Sequence, residues 1–205
     1  MSFCDLAVSG VAHLQPYIPG KPIEELQRQY GVRNVIKLAS NENPLGPPKA
    51  AVAAVAMAAK DMARYPDGNG YGLKLALAEK HQVAPEQITL GNGSNDVLEL
   101  IARAFAGAGD EIIFSEHAFA VYAIVTQVIG ATAVVTPAKD YGYDLDAIHK
   151  AISPRTKIIF IANPNNPTGT WLEPEKIKLF LEKVPEKVLV VLDEAYVEYL
   201  NMEEN

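Results

Sequence analysis

Short β-branched runs alternate with longer helical patterns through the middle and end of this chain, and that alternation constrains its fold more than any other feature. The runs are "QITL" (87–90), "DEIIFS" (110–115), "TAVVT" (132–136), "TKIIFIA" (156–162) and "KVLVVLD" (187–193). Strands separated by helix-length segments build a mostly parallel sheet covered by crossover helices, a three-layer α/β/α architecture. Between the first two runs, Val97, Leu100, Ile101, Ala104 and Phe105 recur at helical spacing, and Gly107 and Gly109 mark the end. The first eighty residues read differently. "PIEELQRQYG" and "AAVAAVAMAAKDMA" are helical, while "QPYIPGKP" and "NENPLGPP" are proline-rich extended segments, so this part reads as an arm and not as sheet core.

With 205 residues, 49% of them hydrophobic, the chain can bury a real core. Its net charge is −7, and Lys and Arg are scattered singly or in pairs. A nucleic-acid partner is therefore not expected. The lone cysteine, Cys4, has no intramolecular partner for a disulfide, and no Lys or Arg precedes Lys21 to begin a secretion signal, so the cytoplasm is the default location. The most membrane-like stretch is "AFAVYAIVTQVIGATAVV" from Ala118. Thr126, Gln127 and Gly130 divide it into buried helix, turn and strand, so no membrane partner is expected.

Ligands of such sheets sit beyond the carboxyl ends of the strands, and four of these ends carry unusual chemistry. In "TLGNGSNDVLEL", Gly91 and Gly93 permit a tight turn, and Ser94, Asn95 and Asp96 open a helix whose free N–H groups suit one phosphate or, equally, a plain N-cap. The dinucleotide fingerprint is incomplete because position 96 is aspartate. In "SEHAFAVY", Phe119 can lie on a planar ring or belong to the core, and His117 reads as a capping or surface residue. In "ANPNNPTG", Thr168 and Gly169 make a turn, and an asparagine amide can reach an oxygen of a ligand. In "KVLVVLDEAYVEY", five apolar residues predict a strand buried on both faces that delivers Asp193 to the sheet's end, as partner of a protonated ring nitrogen or as a helix N-cap.

Together, "LQPYIPGKPIEELQRQYG", "KLASNENPLGPP", "RYPDGNGYGLK", "LGNGSNDVLELIARAF", "NPNNPTGT" and "VLDEAYVEY" resemble, in order and spacing, the fold type I pyridoxal-phosphate aminotransferases, and within them the histidinol-phosphate aminotransferases. The likeness runs from about Leu14 to Tyr199. It implies pyridoxal 5'-phosphate as cofactor and transamination between histidinol phosphate or imidazole acetol phosphate and glutamate or 2-oxoglutarate. The backbone N–H groups of Ser94 and Asn95 would hold the cofactor phosphate, and Phe119 would stack on its ring where many members have tyrosine. Asn166 and Tyr196 would bond the phenolic oxygen, and Asp193 would pair with the ring nitrogen. Tyr65 would reach the cofactor phosphate of a second subunit, implying a homodimer, and Tyr17 and Asn43 would line the substrate side.

The resemblance also implies domains: 1–45 an N-terminal arm with the start of a small domain, 46–205 a truncated cofactor-binding large domain, and a C-terminal small domain absent. In that family the lysine that carries the cofactor follows the aspartate by one strand. No lysine follows Asp193, so the chain reads as a fragment with no catalytic lysine of its own, inactive alone. A phosphothreonine-type decarboxylase, which shares most of these motifs, and a noncatalytic cofactor-binding piece are the alternatives.

Overall fold

A computed structural model of the chain describes residues 6–17 and 19–200. Cys4 and Ile18 lie outside the described residues. Internal contacts divide the chain into two units, Met1–Pro16 with Gly91–Asn205, and Tyr17–Leu90. The divisions fall at 16/17 and 90/91. Elements are numbered in chain order, starting from a single helical turn, α1 (Ser9–Ala12), in the first unit.

Unit 17–90 holds α2 (Ile23–Tyr30), α3 (Lys49–Ala58) and α4 (Tyr71–His81). Local signals form each helix. Glu24 and Glu25 sit in the first turn of α2 and Arg28 in its last, where they complement the helix dipole. The alanine-rich α3 rests on intrinsic propensity, and none of its residues is buried. Asp67 sets the start of α4 by accepting the backbone N–H groups of Asn69 at 3.0 Å and Tyr71 at 2.7 Å, bonds that hold its carboxyl below the usual range. Ala78 is the only buried residue among those described in this unit. The strand expected at "QITL" is not formed. Ile88 is extended, but its neighbours pair with no strand, and extended torsions without a ladder partner do not make a sheet.

The other unit continues with α5 (Gly93–Phe105), β1 (Glu111–Ser115), α6 (Ala120–Val128) and β2 (Thr132–Thr136). A two-residue antiparallel hairpin follows, β3 (Ala138–Lys139) and β4 (Gly142–Tyr143), and then α7 (Leu145–Ala151), β5 (Thr156–Ala162), α8 (Pro174–Leu181) and β6 (Leu189–Asp193). The main sheet is wholly parallel, in the order β2-β1-β5-β6, with Ile112 opposite Ala133 and Ile158, and Ala162 opposite Asp193. From β1 the chain steps outward to β2, then returns past β1 to β5 and β6. Right-handed crossovers put the helix of the outward step on one face and those of the return on the other. α6, with α5 and α1 packed on it, forms one layer, and α7 and α8 form the other. The expected three-layer α/β/α fold is therefore the observed one.

The core lies between these layers. Ile112, Ile113, Ile158, Ile159, Phe160 and Ile161 are completely buried, each such side chain contributing roughly 1.5–3 kcal/mol. β5, the central run, is covered on both faces, whereas β6 is only half-buried. The expectation of two-sided burial for "VLVVL" fails because, among the described residues, β6 is an edge strand that pairs with β5 alone. At the amino end of β1 the buried Glu111 accepts hydrogen bonds from Ser153 Oγ at 2.5 Å and Thr156 Oγ1 at 3.4 Å and pairs with Arg155 at 2.5 Å. No helix among the described residues is long and apolar enough to cross a membrane.

Candidate functional site

The chain changes direction between β1 and β5, and a crevice opens at the carboxyl ends of the strands beside that switch. It is lined by Ser94, Phe119, Asn166, Asp193 and Tyr196, together with Ala162, Pro164 and Ala195. Ser94 comes from the first turn of α5, Phe119 from the exit of β1, Asn166 from the exit of β5, and Asp193 and Tyr196 from the exit of β6. Four separate segments thus deliver five of the residues singled out in the sequence to one place.

The turn into α5 depends on two glycines. A Cβ on Gly91 would lie 2.9 Å from Val97 Cγ2, and Gly93 has φ 75°, a conformation L side chains rarely adopt. Asn92 stands at the N-cap, but its side chain makes no cap bond, and Ser94 and Asn95 lie within the helix. The capping role open to Ser94 or Asn95 in the sequence is therefore not the one they have. Backbone N–H groups in a helix's first turn lack intrahelical acceptors and carry its positive dipole end, which suits an anion.

Asp193 ends β6 and caps no helix, since the following 3-10 turn, Val197–Tyr199, begins after Tyr196. Its Oδ2 accepts the hydroxyl of Tyr122 at 2.8 Å, and its Oδ1 a longer bond of 3.3 Å from the Ala195 N–H. Tyr122 is fully buried and stacks on Phe160 at 4.8 Å and 12°, with an edge contact to Phe119 at 5.9 Å and 85°. Burial, and after it the charge of Asp193, pushes its hydroxyl far above the ordinary range, so it remains a proton donor. Tyr143 is likewise buried. Its pKa is pushed up to about 12, chiefly by burial, although its oxygen accepts the Ala162 N–H at 3.0 Å.

The asparagines of "NPNNPTG" divide the work. Asn163 Nδ2 donates to the Leu172 carbonyl at 3.0 Å while its Oδ1 accepts the Leu172 N–H at 2.7 Å, which closes the loop on itself. Asn165 Nδ2 donates to the His117 carbonyl at 2.8 Å and to Thr168 Oγ1 at 2.7 Å, tying the β5 exit to the β1 exit. The half-buried Asn166 side chain has no hydrogen-bond partner among the described residues and faces the crevice. His117 stacks on Tyr141 at 5.5 Å and 29°, so it braces the hairpin.

The profile of the family described as aminotransferase class I and II matches residues 33–204. The chain belongs to that family. Histidinol-phosphate aminotransferase 1 of Idiomarina loihiensis is 57% identical over 196 residues, 96% of this chain and 53% of its own length. Its namesake from Mannheimia succiniciproducens is 56% identical over 204 residues, all of this chain and 56% of its own. The chain thus spans about half the length of the curated relatives it matches. Among solved structures, histidinol-phosphate aminotransferase from Sinorhizobium meliloti, in complex with pyridoxal-5'-phosphate, superposes with a TM-score of 0.84 at 30% identity, covering 93% of this chain and 51% of that one. A Thermus thermophilus aspartate aminotransferase mutant superposes at 0.70 and 26%, covering 77% and 47%.

Of the remaining sequence candidates of this family member, Tyr17, Asn43 and Tyr65 lie in unit 17–90 and are all exposed, Tyr65 completely so. Asn43 accepts the Leu45 N–H at 3.0 Å. Asn95 follows Ser94 in the α5 turn without lining the crevice. Sequence reasoning missed Tyr122. The available signal was its place in the apolar helical stretch that opens directly after Phe119.

Proposed function

We propose that this chain is the cofactor-binding part of a pyridoxal-phosphate-dependent aminotransferase that acts on histidinol phosphate, with glutamate and 2-oxoglutarate as the other amino donor and acceptor pair. The observation that carries the cofactor reading is the crevice that gathers Ser94, Phe119, Asn166, Asp193 and Tyr196. Its donor set fits the group: a helix N-terminus for the phosphate, a flat aromatic face for the ring, an amide without a partner for the phenolic oxygen, and a carboxylate for the ring nitrogen. The substrate reading is supported by 57% and 56% identity to proteins named for it.

When bound, the cofactor supplies an electron sink for the pair released at the amino donor's Cα. The chain's own residues bind and orient it. The first-turn N–H groups of α5, at Ser94 and Asn95, hold the phosphate. Phe119 fixes the ring plane, Asn166 donates to the phenolic oxygen with Tyr196 beside it, and Asp193 holds a proton on the ring nitrogen. Tyr17 and Asn43 serve the substrate side. Tyr65 serves the cofactor phosphate of a second copy, and the dimer is supported by exposed apolar residues in its unit, Val52, Val55, Met57 and Met62 among them. A cytoplasmic location belongs to the same proposal.

The test is transamination by the complete protein. Turnover of histidinol phosphate with 2-oxoglutarate, dependent on added pyridoxal phosphate and well above that with other amines, is the expected result. A preference for decarboxylating a phosphorylated amino acid would replace the substrate reading and keep the cofactor. For the dimer, Tyr65→Phe subunits mixed with Asp193→Ala subunits regain activity, since a hybrid restores one intact site. No recovery from exchanged, folded hybrids removes the shared-site claim.

A further inference from the structure

Tyr122 is buried at the back of the crevice, and the roles above leave it nothing to do. It stands in the first turn of α6, whose N-cap is Phe119, and the two rings meet edge to face. Phe160 stacks on one side of its ring and the edge contact with Phe119 restrains another, so packing fixes where the hydroxyl lies. Its own backbone is tied in as well, because Thr126 Oγ1 donates to the Tyr122 carbonyl at 2.7 Å. Asp193 is held less firmly. It ends an edge strand, its side chain is half-buried, and its other hydrogen bond is the long one from Ala195. The Tyr122 hydroxyl makes the one short hydrogen bond to the carboxylate among the described residues.

We propose that Tyr122 is a positioning residue, whose hydroxyl holds Asp193 Oδ2 so that the carboxylate meets the ring nitrogen of the cofactor in one fixed orientation. The inference rests on the cofactor reading above and adds a residue to it. A hydrogen bond donated to a carboxylate favours its charged form, so the proton shared across the pair stays on the ring nitrogen. Because the burial of Tyr122 keeps the hydroxyl protonated, the direction of donation is constant: Tyr122 gives and Asp193 receives.

The test uses the complete protein. Tyr122→Phe keeps the stacked ring and removes only the donor. Expected is a loss in kcat of about ten- to a hundredfold, the value of one hydrogen bond to a charged group, with little change in the KM of the amino donor. The ¹⁵N resonance of an isotope-labelled cofactor ring nitrogen should move toward the unprotonated position. Added to Asp193→Asn, Tyr122→Phe should cost nothing further, because it acts through that carboxylate. Additive losses would reduce Tyr122 to core packing and overturn the proposal. So would a folded Tyr122→Phe with natural kcat and an unmoved ¹⁵N signal.

Should that variant not fold, the apo-protein of natural sequence decides. Selectively labelled tyrosine should show a slowly exchanging hydroxyl proton for Tyr122 that shifts in Asp193→Ala, and its absence or insensitivity overturns the contact. A natural protein that shows this signal yet takes up no cofactor brings down the cofactor reading, and with it the role given to Tyr122.

Discussion

The two units of the chain are made in opposite ways. From Gly91 onward, strands and helices exist because they bury one another, with ten large side chains in the core essentially inaccessible. From Tyr17 to Leu90, helices exist because of local propensity, dipole complementation and the Asp67 bonds, while Ile36, Leu38, Leu45 and Met62 are more than three-quarters exposed. Yet both units carry motif residues. A motif therefore identifies chemistry without saying whether its own unit supplies the packing that holds it. In the first unit the packing is intrinsic, and in the second it must come from whatever covers those side chains.

Substitutions test that contrast in order of expected size. Phe160→Ala removes a fully buried ring together with the surface against which Tyr122 stacks, and should cost about 3–5 kcal/mol in denaturant unfolding. A cost below about 1 kcal/mol would mean the first unit is not held by this core. Asp193→Ala should leave that core in place while lowering kcat on the order of 10²–10³. A variant with near-natural turnover would leave Asp193 a structural acceptor for Tyr122 and nothing more.

Glu111→Gln should destabilise the protein by about 1–3 kcal/mol, as a buried charge network loses its centre. The hydroxyl of Ser153, and after it the guanidinium of Arg155, hold the Glu111 carboxyl below its ordinary value. Its contribution is therefore complete above the unfolded-state pKa and disappears as pH falls through the depressed folded one, so Glu111→Gln and the natural protein should converge in stability under acid. A difference that persists unchanged there would assign the effect to shape and not to charge. The smallest effect belongs to Leu38→Ala, with a side chain 92% exposed. It should change stability by no more than about 0.5 kcal/mol. A loss rivalling that of Phe160→Ala would show that the working assembly covers the 17–90 unit.

Much of this arrangement is legible in the sequence, for reasons that differ by element. β1, β2, β5 and β6 and the helices between them declare themselves because apolar periodicity is a local record of burial. Phe119, Asn166, Asp193 and Tyr196 stand at strand ends, so the layout of a parallel sheet brings them together without further information. "QITL" misleads because its residues have the torsions and composition of a strand, whereas strandness requires a partner that periodicity cannot report. The β3–β4 hairpin is too short to show alternation, and its turn uses Asp140 and Tyr141 at positive φ in place of glycine. The three asparagines of "NPNNPTG" look alike on paper. Only the approach of Leu172 and His117 separates two that hold the loop from one that faces the crevice. Tyr122 was missed because its partner lies 71 residues away.

The strand order also sets a schedule for folding. β1 and β2 are joined by α6 and can pair as soon as both have left the ribosome, but the other side of β1 belongs to β5, which is made only after the hairpin and α7. Through that interval the unpaired side of β1 presents an unsatisfied row of backbone donors and acceptors to solvent. Contacts so distant in sequence are slow to form, because loop closure must precede any reward from pairing. The interval between β2 and β5 is therefore when the nascent protein is most exposed to misassociation, and when a chaperone that shields apolar strands would raise its yield most.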